Sequence, residues 1–157
     1  MKNLTNIRII FSFLFISILI GFLGCAGSSS TLQSESKLLQ GSKNTLTLPN
    51  GNVVWDLNGE WDFSGENYGV WLAAGGYGGV IKITQSGSSF VGIRMTGTQT
   101  MTKGTEAIRG ELDKSGFKWV QLITSMGSLN PSGKISKDGN KMIIDDGTQT
   151  RVTYTRK

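Results

Sequence analysis

The 157-residue chain contains no histidine, one cysteine and only two prolines. Without histidine, a Ser-His-Asp or Cys-His catalytic arrangement cannot form, nor can a histidine-ligated zinc site. A single cysteine excludes an intrachain disulfide, a CxxC redox motif and a cysteine-rich metal cluster. The length suits one domain with a tail. These absences favour a binding or structural protein over an enzyme, and we expect no metal and no cofactor.

The one long apolar run lies near the N-terminus. Lys2 and Arg8 precede the uncharged segment 9–23, which has the length of a signal-peptide hydrophobic region and is short for a membrane span of roughly 20 residues. A glycine and Cys25 follow, and then a stretch rich in serine and glycine. This order resembles the lipobox of bacterial lipoproteins, in which the cysteine is acylated and becomes the mature N-terminus. The alternative is a transmembrane helix followed by a buried core cysteine.

The lipobox resemblance implies a signal peptide over residues 1–24, lipid attachment at Cys25 and the lipid bilayer as a partner. It places the protein at the cell envelope, and Ala26 in place of aspartate implies the outer membrane in a Gram-negative organism. Removal of the signal peptide takes away two basic residues, which leaves 14 basic and 11 acidic residues and lowers the net charge from +5 to +3. Because the basic residues form no cluster with aromatic side chains, no nucleic-acid partner is predicted.

Residues 26–52 are rich in serine and glycine and contain few large apolar residues. This composition predicts a disordered spacer. In the alternative, Leu46 and Leu48 alternate with threonines and form a short strand that docks on the domain. The predicted division of the chain is therefore the signal peptide, the lipidated cysteine and tether at 25–52, and a folded domain at 53–157.

From residue 53 onward, apolar and polar residues alternate with a period of two, which predicts half-buried strands. Eight such segments follow one another, at residues 57–64, 81–85, 90–96, 108–113, 117–124, 134–136, 141–145 and 149–156. Most of the links between them have the glycine-containing composition of tight hairpins, which predicts an antiparallel meander. Closing the meander would remove its two exposed edges. The expected fold class is all-β, an eight-stranded antiparallel up-and-down barrel preceded by a signal peptide and a flexible tether.

The first predicted strand contains Gly59-Glu60-Trp61. A Gly-x-Trp on strand one of an eight-stranded antiparallel barrel resembles the calycin group, which includes the lipocalins. The resemblance implies that Trp61 closes one end of the barrel beneath a basic residue from near the chain end, a role for Arg156. It also implies that the long loop after this strand, residues 65–79, lies over the open end.

The loop 65–79 carries Trp71 and Tyr77 among many glycines. We interpret it as a mobile lid with aromatic contacts at the mouth, or alternatively as a turn whose aromatics cover the barrel end. Alternation places Val91, Ile93 and Met95 together on one inward face. The candidate ligand-binding residues are apolar or carry a polar handle: Trp71, Tyr77, Gln85, Met95, Trp119, Gln121, Met142 and Tyr154. In the alternative, the inward-facing residues among them simply fill a small barrel.

Two functions fit these patterns. The leading hypothesis is a lipid-anchored, non-catalytic binding module that holds a small apolar or amphipathic molecule at the barrel mouth. The alternative is an envelope interaction or structural protein with a filled interior, whose outer surface meets another protein or the cell wall. An interior cavity of a few hundred Å³ would favour the first hypothesis. An exposed apolar patch at Val120 and Leu122 would favour the second.

Overall fold

The computed structural model describes residues 44–98 and 100–157. The predicted signal peptide, Cys25 and the tether up to residue 43 lie outside these ranges. Within them, no helix has the length and hydropathy needed to span a membrane. The described chain consists mainly of antiparallel strands, which confirms the all-β class.

Eleven strands and one 3-10 helix make up the regular structure of the described residues. In chain order they are β1 Thr45–Thr47, β2 Val53–Trp55, β3 Gly59–Asn67, the 3-10 helix Gly69–Ala74, β4 Tyr77–Ser86, β5 Ser89–Arg94, β6 Glu106–Asp113, β7 Gly116–Thr124, β8 Gly127–Leu129, β9 Ser132–Ile135, β10 Lys141–Asp145 and β11 Thr150–Arg156.

Nine of these strands form one antiparallel sheet in the order β8-β7-β6-β5-β4-β3-β11-β10-β9. Each strand from β3 to β7 pairs with the next one in the chain. The same holds for β9 and β10, and β11 pairs with β3. This is the order of an up-and-down barrel that is open between β8 and β9, which share no ladder among the described strands. The sheet is therefore a curled half-barrel, and the predicted closed ring of eight strands is not confirmed.

Apolar side chains on the inner face of the curled sheet form one core. The predicted alternation is confirmed on β3 and β4, where Trp61, Ile81 and Ile83 are fully buried. Phe90 fits because Gly110 opposite it has no side chain: a Cβ added at Gly110 would stand 2.7 Å from Phe90 Cζ. Large side chains packed over glycines fill the interior of the curled sheet.

The predicted inward face of β5 is wrong. Phe90, Gly92 and Arg94 face the core, whereas Val91 is 39% exposed and Met95 lies one residue beyond the strand. The reason is steric, because side chains of the neighbouring strands occupy the space over Gly92. A Cβ added there would stand 2.6 Å from a methyl carbon of Ile108. Alternation assigned the face with more apolar residues to the core and so selected the outer face.

The pairing of β6 with β7 contains an irregularity that changes the faces of β7. Glu111 is opposite Trp119 and Leu112 is opposite Phe117, so Lys118 is an extra residue on β7. An extra residue in one strand of a pair is a β-bulge, which interrupts the strict alternation of faces.

The bulge explains why the assignment of Trp119 and Gln121 to the inward face of the barrel is wrong. Trp119 is 45% exposed, and Gln121 accepts a hydrogen bond from Arg109 Nε at 2.8 Å on the outer surface. Val120 and Leu122 are buried instead. An exposed apolar patch at these two residues, which would have favoured the interaction hypothesis, is therefore not what the structure shows.

Part of the predicted tether is folded. For residues 45–47 the structure shows the strand alternative, since β1 pairs with β2 and places Leu46 opposite Val54. Val54 and Trp55 are buried in the core. The hairpin β1–β2 covers one end of the curled sheet, where Asn44 Nδ2 donates to the carbonyl oxygen of Asp138 at 2.9 Å. The folded domain thus includes residues 44–52, which the predicted boundary at residue 53 had left out.

Candidate functional site

The two ends of the curled sheet differ in what covers them. At the closed end, which contains Trp61, Arg156 and hairpin β1–β2, the Nε1 of Trp61 donates to the carbonyl oxygen of Leu57 at 2.9 Å. The guanidinium carbon of Arg156 lies 4.4 Å from the centroid of the Trp61 ring. Arg156 also donates to the carbonyl oxygens of Asn58, at 2.7 Å, and Asp56. Arg156 therefore covers Trp61 and joins it to the β2–β3 connection.

Gln85 also belongs to the closed end. Its Oε1 accepts a hydrogen bond from the backbone N of Leu57 at 2.7 Å, and its Nε2 donates to the carbonyl oxygen of Trp55 at 2.9 Å. These bonds fasten the β2–β3 connection to β4. Gly59 begins β3 with a φ of +125°, a region that strains any residue with a side chain. The Gly-x-Trp pattern therefore has a backbone reason as well as a packing reason.

The open end is formed by the 3-10 helix, the loop between β5 and β6, and the turn between β7 and β8. These segments enclose a cleft of about 380 Å³, whose lining includes Val70, Trp71, Tyr77, Met101 and Met126. Val70 and Met126 are 82% and 69% exposed. The volume falls within the range of small-molecule sites, and apolar side chains with this exposure mark candidate binding surfaces.

The loop over the open end is shorter than predicted, because 65–67 extend β3 and 77–79 begin β4. The remaining loop, residues 68–76, is fastened near both of its ends. The Tyr68 hydroxyl donates to the carboxylate of Asp145, and Asn67 Nδ2 donates to the carbonyl oxygen of Gly75 at 2.7 Å. The loop therefore forms a tethered rim beside the cleft.

The attachment of Tyr68 has an electrostatic consequence. The carboxylate of Asp145 accepts hydrogen bonds from the Tyr68 hydroxyl, from the backbone N of Gly147 at 2.8 Å and from Arg151 Nε at 2.8 Å. Because these bonds stabilise the charged form, the pKa of Asp145 is lowered to about 2. The hydrogen bond to Asp145 is also the main cause that raises the pKa of Tyr68 to about 12.

A small cavity of about 20 Å³ lies below the cleft, which is room for about one water molecule. Arg94 and Tyr154, which are 6% and 2% exposed, both line it. Arg94 Nη1 donates to Thr105 Oγ1 at 3.3 Å and to the carbonyl oxygen of Glu106, and Nη2 donates to that of Ile123 at 2.5 Å. Burial lowers the pKa of Arg94 and raises the pKa of Tyr154.

The structure brings three of the predicted ligand-binding residues together. Trp71 lines the cleft and Tyr154 lines the cavity, while Tyr77 lines both. The hydroxyl of Tyr77 lies 2.9 Å from Thr150 Oγ1, which itself donates to the carbonyl oxygen of Glu66. Tyr77 is therefore the donor in its bond with Thr150, and it stands at the junction of the two spaces.

The other five predicted residues lie elsewhere. Met142 is fully buried in the core, and Met95 is half-buried beyond the end of β5 without lining the cleft or the cavity. Gln85 lies at the closed end, and Trp119 and Gln121 are on the outer face. These positions follow from the corrected faces of β5 and β7 and from the covering hairpin.

Sequence reasoning missed Arg94 and Met126. The only signal for Arg94 is that it lies two residues after Gly92 and four after Phe90, so that an inward Phe90 carries Arg94 inward as well. Met126 stands in the turn before β8, where an apolar side chain is unusual.

Within the described ranges, no group of three or more His, Cys, Asp or Glu side chains is placed to hold a metal ion. No family model, no curated protein and no solved structure matches the chain. The open end is therefore interpreted from its own geometry and chemistry.

Proposed function

We propose that the chain is an exported lipoprotein, held at the cell envelope by acylation of Cys25, whose open end binds a small amphipathic molecule without catalysis. The observation that carries the proposal is the cleft of about 380 Å³, which is lined by Trp71 and by the exposed side chains of Val70 and Met126. Exposed apolar surface is unfavourable in water, so covering it with an apolar ligand group lowers the free energy.

The ligand binds at the mouth in this proposal, because the interior is occupied. Trp61, Ile83 and Met142 are fully buried, and the cavity below the cleft measures only about 20 Å³. We also propose that the curled half-barrel is a calycin-like barrel whose ring is open between β8 and β9. The pairing of β11 with β3, and Arg156 over Trp61, support that relationship.

The binding proposal is tested on the full chain purified from its own host. Native mass spectrometry is expected to detect a co-purified lipid or metabolite, and Val70→Ser is expected to reduce its occupancy. Val91→Ser is the matched control, since Val91 is an exposed valine on the outer face of β5. The proposal fails when no ligand co-purifies and a panel of amphiphiles leaves the tryptophan fluorescence unchanged.

The anchor is tested by metabolic labelling with radioactive palmitate. We expect the label on the wild-type chain and on an Ala26→Ser control, and its loss in Cys25→Ala. Label that persists in Cys25→Ala would refute acylation at this residue. Ala26→Asp is expected to keep the label and to move the protein to the inner membrane of a Gram-negative host, following the sorting rule that the resemblance implies.

A second candidate function, an envelope protein that meets a partner through its outer surface, is favoured by the exposure of Trp119. Its side chain is 45% exposed, and its Nε1 donates to Glu111 Oε2 at 3.2 Å. A photo-crosslinker at position 119 is expected to capture one envelope protein in cells if this function holds. A crosslinker at position 91, on the same sheet face, is the control.

A further inference from the structure

Arg94 is a buried cation that has no anionic partner in the described part of the chain. Its side chain is 6% exposed, and none of the four ion pairs found among the described residues includes it. Its hydrogen-bond acceptors are two carbonyl oxygens and one hydroxyl, all uncharged. Burial of a charge without a counter-charge is costly in free energy, so such a group attracts an anion where one can reach it.

Donors without partners remain on the side chains that line the cavity. Arg94 uses three of its N–H groups in the bonds already described, and its Nε is buried without any partner. No hydrogen bond to the Tyr154 hydroxyl is found within the described part of the chain, although Tyr154 lines the same cavity. The guanidinium and the phenol hydroxyl are both hydrogen-bond donors, and they line the same small cavity. An oxyanion is an acceptor that suits such a pair of donors.

The position of Arg94 distinguishes it from the other arginine with an unpartnered Nε. Arg156 has a buried Nε as well, but its guanidinium is stacked on Trp61 at the closed end. Arg94 instead lines the cavity directly below the cleft. Tyr77, Met101 and Thr124 line both spaces, so the cavity and the cleft meet at these three residues. Met101 is a flexible side chain that can yield to a ligand.

We infer that the open end selects amphiphiles with an anionic headgroup, a carboxylate or a phosphate monoester, and that Arg94 binds this headgroup while the apolar tail lies in the cleft. The inference rests on the proposed function, since it names the ligand class of the same site. One headgroup oxygen takes the place available for about one water in the cavity. The tail then covers Val70, Trp71 and Met126.

The test compares three probes with the same chain length: octanoate, octyl phosphate and octan-1-ol. The full chain in lipid nanodiscs is titrated with each probe near neutral pH, and tryptophan fluorescence is followed against empty nanodiscs. We expect Arg94→Met to weaken octanoate or octyl phosphate by about tenfold or more, because a hydrogen bond to a charged group is lost. The affinity for octan-1-ol is expected to change by less than about twofold, since an alcohol places no charge beside Arg94.

Arg109→Met is the matched control, because it removes the same charge from an exposed position on β6. It is expected to leave all three affinities unchanged. The anionic probe that binds more tightly to the wild-type chain identifies the headgroup, and equal binding of both still supports an anion site.

The outcomes separate the inference from the proposed function. If octan-1-ol binds and Arg94→Met weakens all probes equally or none of them, the anion site is refuted while the binding function stands. If none of the probes binds to the wild-type chain, the proposed function itself is refuted and the anion site with it.

Because Arg94 also bridges backbone carbonyls of β6 and β7, its replacement can prevent folding. In that case Tyr154→Phe is titrated in its place, because it removes only one hydroxyl that has no hydrogen-bond partner among the described residues. It is expected to weaken the anionic probes by a few-fold and to spare octan-1-ol. Unchanged affinities in Tyr154→Phe, together with a non-folding Arg94→Met, would assign Arg94 a purely structural role and overturn the inference.

Discussion

The closed and open ends of the curled sheet are built from the same strands but are stabilised by different contacts. At the closed end, Trp61 is fully buried, and Nη1 and Nη2 of Arg156 and Nε2 of Gln85 donate to backbone carbonyl oxygens. At the open end, Val70 and Met126 are exposed. The residues that stabilise the fold and those that line the proposed binding cleft therefore lie at opposite ends, as expected when a site is placed on a rigid scaffold.

The largest expected effect comes from the closed end. Trp61→Ala removes a fully buried indole and its hydrogen bond to Leu57, so we expect the free energy of unfolding to fall by about 3–5 kcal/mol. Trp71→Ala at the open end is the matched control and should have a much smaller effect, because its side chain is only partly buried. Urea denaturation followed by far-UV circular dichroism measures both. Equal losses would contradict the assignment of stability to the closed end.

An intermediate effect is expected from the two arginines on β11. Arg156→Met leaves the carbonyl oxygens of Asn58 and Asp56 without their donor and removes the contact with Trp61. We expect a loss of about 1–3 kcal/mol in the free energy of unfolding. Arg151→Met breaks only an exposed ion pair with Asp145 and should cost much less. Urea denaturation measures the free energy of unfolding of both variants. A larger loss for Arg151→Met than for Arg156→Met would contradict this expectation.

The smallest expected effect is a pH dependence that belongs to the open end. The folded-state pKa of Asp145 is about 2, below its ordinary value of 3.8, so the folded state binds fewer protons than the unfolded state between these values. The stabilisation is therefore fully present above about pH 4 and is lost as the pH falls through about 2. Tyr68→Phe removes the main cause of this shift and should make the loss smaller.

A carboxyl ¹³C NMR titration measures the pKa of Asp145 directly in both chains. The control lies at the closed end, where a hydrogen bond from Ser136 Oγ is the main cause that lowers the pKa of Asp138. Ser136→Ala should raise the pKa of Asp138 and leave Asp145 unchanged. An Asp145 pKa that stays near 2 in Tyr68→Phe would show that Tyr68 does not hold the rim in this way.

Alternation in the sequence predicted the antiparallel strands and the core positions of β3 and β4, because a half-buried strand must place every second side chain inward. The prediction that Trp71 and Tyr77 belong to one loop is only partly right, because Trp71 lies in the 3-10 helix whereas Tyr77 begins β4. Alternation does not show which face of a strand points inward when both faces contain apolar residues. On β5, the ladder with β6 decides this, and it turns Phe90 and Arg94 inward.

The bulge on β7 could not be predicted from β7 alone. It depends on the register with β6, since Lys118 is an extra residue only relative to Glu111 and Leu112 opposite. The docking of hairpin β1–β2 is similarly a tertiary effect, because Trp55 is buried against strands that are distant in the chain. The inward position of Arg94 likewise depends on the pairing of β5 with β6, so β5 alone does not predict it.

The opening between β8 and β9 gives the ring a mechanical property that a closed barrel lacks. In a fully paired barrel, widening the circumference breaks a ladder of hydrogen bonds. Here the described strands meet at the opening through side-chain packing, with the Phe117 ring so close to Gly133 that an added Cβ would stand 2.5 Å from its Cδ2. The curled sheet can therefore widen at this opening when apolar side chains separate, without breaking a ladder of backbone hydrogen bonds.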